Sequence, residues 1–98
     1  MIFEWDDHKE QINIAKHGID FKTAARVFQD EFRIEIFDEL HSDIEERYIT
    51  IGQIGGVEIV IMVVYTERKQ AIRLISARKA TAQERQMYHD CSSGNRFQ

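Results

Sequence analysis

The stretch "IVIMVVY", residues 59 to 65, constrains the fold more than any other part of the chain. Side chains on a β-strand alternate between the two faces of a sheet, so a strand with one wet face alternates apolar and polar residues. Here both parities are apolar. This segment therefore reads as a central strand covered on both faces. Gly55-Gly56 lies just upstream and suits a tight hairpin turn back to "RYITIGQI", residues 47 to 54. Downstream, the polar turn "TERKQ" leads to a further strand, "AIRLISAR", residues 71 to 78.

The remaining elements follow from local signals. "MIFEW" suits a short strand. Asp6 or Asp7 offers a helix N-cap, with Asp7 and Glu10 at capping-box spacing. "HKEQINIAKHG" reads as a helix closed by Lys16, His17 and a left-handed Gly18. Asp20 starts a second helix whose apolar face is Phe21, Ala24, Ala25 and Phe28. Beyond Asp30 the period changes to two: Phe32, Ile34 and Ile36 alternate with Arg33, Glu35 and Phe37. "TAQE", Thr81 to Glu84, is a capping box opening a last helix to about Asp90. The order predicts an α+β domain: a small, mostly antiparallel sheet, two N-terminal helices and one C-terminal helix, with the helices on one side. Residues 1–90 form one domain in this reading, and 91–98 a polar, frayed tail.

Length and cysteine usage fit an ordinary soluble domain. The chain has 98 residues and one cysteine, Cys91, which suits a reducing compartment. No apolar stretch approaches the roughly 20 residues of a membrane span. Glu4, Asp6 and Asp7 fall where a signal peptide would be basic and then apolar. A cytoplasmic location with no membrane contact is expected. The net charge of −4 hides a strong polarity. Residues 28 to 47 hold eight carboxylates against Arg33 and Arg47, whereas residues 65 to 85 hold six cations against Glu67 and Glu84.

Part of that basic run lies inside a strand. Arg73 and Arg78 have opposite parity, so an ideal strand sends them to opposite faces. They share a face only if the strand is bulged or ends near Ala77. Each arginine by itself suits an ion pair with a carboxylate of a neighbouring strand. As a group, Arg47, Arg68, Arg73, Arg78 and Lys79 lie on consecutive strands of one meander and can converge on one concave face. Convergent cations suit a phosphodiester, because arginine grips phosphate oxygens bidentately and offsets charge that develops in a transition state.

An ordered series of motifs resembles a known family. "FEWD" at 3 to 6, "KHGIDF" at 16 to 21, "HSDIEER" at 41 to 47, "IG" at 51 to 52, "VVYTER" at 63 to 68 and "IRLISARKA" at 72 to 80 are similar to BrnT, as is Glu84 followed by Tyr88. BrnT is the toxin of a type II toxin–antitoxin pair. The resemblance implies a fold like that of the RelE-type ribonucleases, and RNA cleavage that inhibits translation and uses no metal or other cofactor. It also implies a small antitoxin partner, BrnA, through which alone the pair would contact operator DNA.

Metal-independent RNA cleavage needs a base for the 2′-hydroxyl, an acid for the leaving 5′-oxygen and cations for the phosphorane. Arg78 and Arg73, then Arg47, are the candidates for phosphate stabilisation. Glu45 is the candidate base, with His41 as its alternative. Lys79, Arg68, Tyr65 and Tyr88 are the candidate substrate-binding residues. Blander roles compete: Tyr65 suits a half-buried rim, Tyr88 suits packing on the sheet beside Met87, Trp5 suits the core and His17 a helix end. His41, Asp43, Glu45 and Glu46 lack the spacing of a metal site. No basic recognition helix is present for direct DNA contact. The alternative function is an inactive, toxin-like binding module or co-repressor subunit acting only through its antitoxin.

Overall fold

The computed structural model describes residues 1–92. The tail expected at 91–98 falls almost wholly outside them, and the last helix runs on to Ser92. Five strands form one sheet in the order β1-β5-β4-β3-β2. They are β1 (Ile2–Glu4), β2 (Ile34–Phe37), β3 (Tyr48–Gln53), β4 (Val60–Arg68) and β5 (Ala71–Lys79). The longest apolar run is the central strand, as its two apolar parities require. The sheet is mixed, which corrects the mostly antiparallel meander: β1 runs parallel to β5, pairing Phe3 with Ile72 and Glu4 with Arg73. The first strand thus joins the far edge, a long-range pairing with no local signal in the sequence.

Helix α1 (Asp7–His17) starts at Asp6, whose carboxylate accepts from the His8 and Lys9 amides at 2.8 and 3.1 Å. The expected Asp7–Glu10 box does not form; Glu10 instead accepts from the Phe21 amide at 2.9 Å. Gly18 ends α1 at φ 71°. Helix α2 (Phe21–Ala24), capped by Asp20, tightens into a 3₁₀ turn over Ala25–Gln29. Helix α3 (Ala82–Ser92) carries the expected Thr81–Glu84 box: the Thr81 amide donates to Glu84 at 2.8 Å and the Glu84 amide to Thr81 Oγ1 at 3.2 Å.

The helices cover both faces, not one. Phe21, Ala24, Val27 and Phe28 bury against Ile61, Val63, Tyr65, Leu74 and Ala77. On the opposite face, Tyr88 of α3 packs with Ile51, Val60 and Ala80. Odd-numbered residues of β4 serve the first core and even-numbered ones the second, which is how one strand comes to be apolar on both parities. Among the described residues no helix is long and apolar enough to cross a membrane.

Candidate functional site

The site begins with an irregularity in β5. Val64 pairs with Ser76 and Tyr65 with Leu74, leaving Ile75 opposite no residue. This bulge changes the phase of the strand. Leu74 and Ala77, three apart, are both buried in the first core. Arg73, paired with Thr66, and Arg78, paired with Met62, therefore both point to the other face. This is the condition under which the two arginines can share a surface.

They do not share one anion. Thr66 and Met62 are four residues apart on β4, so the two arginines leave the sheet roughly 13 Å apart. Arg78 lies beside α3 and donates to both oxygens of Glu84 at 2.8 and 3.0 Å, and to the Lys79 carbonyl. Lys79 pairs with Ile61 and so points to the first face, away from Arg78. The start of α3 is thus occupied by its own glutamate.

The other end of the face gathers more charge. Arg73 donates to Glu4 at 2.8 Å, and Arg68 grips Glu45 through two hydrogen bonds of 2.9 and 3.1 Å. Arg68 is two residues from Thr66 on the same side of β4. Arg47 stands one step beyond the last β3–β4 pair, Tyr48 with Tyr65, and so opposite Thr66. Its guanidinium has no ion pair or hydrogen bond among the described residues. Arg68, then Arg73 and Arg47, hold the Glu45 carboxyl below the usual glutamate range. Glu45 and Glu4 both raise the Arg68 pKa. Arg47, Arg68, Arg73, Glu4 and Glu45 thus form one electrostatic cluster around Thr66. His41, bonded to Asp38 at 3.0 Å, lines an adjoining hollow with Leu40, Ile44, Glu45 and Arg47.

A family model described as the ribonuclease toxin BrnT of type II toxin–antitoxin systems matches residues 5–84. The chain belongs to the BrnT family. A search of curated proteins finds no match. The BrnT match covers both halves of the bulged strand, the Glu45–Arg47 segment and the Glu84 clamp.

The two tyrosines expected to bind substrate, Tyr65 and Tyr88, are both buried. Tyr65 is buried on the first face, edge-on to Phe28 and stacked on Tyr48, and its hydroxyl donates to Glu35. Burial and that carboxylate push its pKa up, while its hydrogen bond and Arg33 hold Glu35 low. Tyr88 is buried under α3 and donates to Asp30 at 2.6 Å. Neither ring is open to a ligand in this structure. Glu4 was missed by sequence reasoning because only the parallel β1–β5 pairing brings it to Arg73. Among the described residues no three His, Cys, Asp or Glu side chains are grouped to hold a metal ion.

Proposed function

We propose that this BrnT-family chain is an endoribonuclease toxin that cleaves RNA without a metal, inhibits translation and is neutralised by a BrnA-like antitoxin. In this reading it shares the RelE-like ribonuclease fold that its motifs imply. The observation that carries it is the bulge at Ile75, which turns Arg73 to the side that carries Arg47, Arg68 and Glu45. An RNA phosphate entering this cluster takes the guanidinium groups of Arg68 and Arg73 from their carboxylates. The carboxylates are then free for proton transfer. Glu45 accepts the 2′-hydroxyl proton, the 2′-oxygen bonds to phosphorus, and the P–O5′ bond breaks as the leaving oxygen takes a proton from water. Arg47, Arg68 and Arg73 offset the charge on the phosphorane. Arg78, farther along the same face, binds the flanking strand of RNA.

The test is cleavage of single-stranded RNA by the purified chain in excess EDTA, with the product ends identified. The expected product is a 2′,3′-cyclic phosphate or its hydrolysis product beside a 5′-hydroxyl. Activity abolished by chelator and restored by Mg²⁺ would overturn the mechanism.

A second reading has its own support. Arg68, Arg73 and Arg78 each have a carboxylate partner within the chain. An inactive module that only holds its antitoxin would be built the same way. Expression of the chain alone separates the two: growth arrest relieved by the antitoxin supports the toxin, and normal growth at verified expression supports the module.

A further inference from the structure

Thr66 is fully buried, and among the described residues its Oγ1 is the one buried side-chain polar atom with no hydrogen-bond partner. Buried hydroxyls are nearly always paired, since an orphan forfeits its bonds to water and gains nothing. Threonine is common in strands, and a valine of the same shape would fill this position without the penalty. Three cationic residues neighbour Thr66 along and across the sheet. Arg73 is its cross-strand partner in β5, Arg47 lies opposite in the continued β3 register, and Arg68 is its same-side neighbour on β4. Around it stand two ion pairs, Arg68–Glu45 and Arg73–Glu4, whose side chains are 28 to 47% exposed. Exposed ion pairs hold together weakly, so they can be displaced by a ligand that offers the arginines something better.

We propose that Thr66 is a further catalytic residue of the proposed ribonuclease: its hydroxyl donates a hydrogen bond to a non-bridging oxygen of the scissile phosphate when that phosphate displaces Glu4 and Glu45 from the arginines. This rests on the ribonuclease reading and deepens it. A phosphate oxygen is an acceptor of the right kind, and a hydroxyl between arginines is a donor that a carboxylate-paired surface leaves unused. The bond strengthens as the phosphorane gathers negative charge, so Thr66 acts on the chemical step more than on binding. No proton leaves the hydroxyl and no bond to it forms. The unpaired state in the free protein is then a cost to stability kept for the transition state.

The decisive comparison is Thr66→Val against Thr66→Ser and wild type, measured by RNA cleavage in EDTA and by thermal melting. Thr66→Val is expected to lower kcat about 10²-fold with KM little changed. Its melting temperature should stay level or rise by about 5 °C, because the orphan hydroxyl is gone. Thr66→Ser should recover much of the activity. A merely structural threonine would move the two readouts together, so a Thr66→Val chain that melts lower and loses activity only in proportion overturns the proposal. Full activity in Thr66→Val also overturns it while leaving the ribonuclease reading in place. A wild-type chain that cleaves no RNA removes both.

Discussion

The Asn13 carboxamide lies side-on to Ala77, donating to its carbonyl at 2.9 Å and accepting from its amide at 3.0 Å. β1 covers β5 only as far as Arg73, and beyond it the edge is open. Asn13 fills that gap as a strand would, and its remaining N–H donates to the Ile19 carbonyl at 3.0 Å. One buried side chain thus docks α1 on the strand that carries the candidate site. Asn13→Ala should destabilise the chain by about 2–4 kcal/mol in urea titration, because it strands the backbone groups of Ala77. Asn13→Asp should be worse at neutral pH than in acid, since a carboxylate would face two carbonyl oxygens.

Arg73→Ala should lower RNA cleavage by about 10²–10³-fold in initial-rate assays, with a small change in melting temperature. Arg78→Ala should show more loss of stability, on the order of 1 kcal/mol, because Glu84 loses a half-buried bidentate partner. A reversed pattern would move the centre of the reaction to the α3 end of the face.

The Arg78–Glu84 pair gives stability a definite pH dependence. Arg78 holds the Glu84 carboxyl below the ordinary glutamate value of 4.5. Its contribution is therefore complete above that value and is lost as pH falls through the lowered folded-state pKa. Glu84→Gln should destabilise clearly at pH 7 and much less at an acid pH below the lowered folded-state pKa, where the wild-type carboxyl is itself protonated. Urea midpoints at the two pH values check this.

Gly52 is required by close approach. A Cβ at this position would sit 2.8 Å from Val27 Cγ2 and 2.9 Å from Arg33 Cβ. Gly52→Ala should cost about 1–3 kcal/mol by forcing the 3₁₀ turn off β3. Calorimetric melting is the readout.

What was legible in the sequence was local. The caps at Asp20, Gly18 and Thr81–Glu84 formed where side-chain chemistry placed them, and both apolar parities of β4 were used. Signals that depend on distant partners did not show. Nothing near Glu4 indicates that it meets Arg73, 69 residues away. Glu84 was readable as a cap but not as a clamp on Arg78, because the cap is local and the clamp depends on how α3 turns back over the sheet. Tyr65 looked like a strand end at the rim; it is central because β4 continues to Arg68 before turning at Lys69, which takes φ 48°. A bulge, or a strand end near Ala77, is readable only as a condition for Arg73 and Arg78 to cooperate, with no signal placing it at Ile75, since neither parity of β5 is cleanly apolar.

That bulge makes β5 two short strands spliced out of phase. Before the splice, Leu74 fills the core and Arg73 faces out; after it, Ala77 fills the core and Arg78 faces out. The extra residue is what lets Leu74 and Ala77, an odd number of positions apart, both stay inward. Removing Ile75 would set Ser76 directly after Leu74, and plain alternation would then keep Leu74 and Ala77 inside and Arg73 and Arg78 outside. Substitutions at Ile75 should be mild, and its deletion should straighten the strand while every other residue of β5 keeps its face.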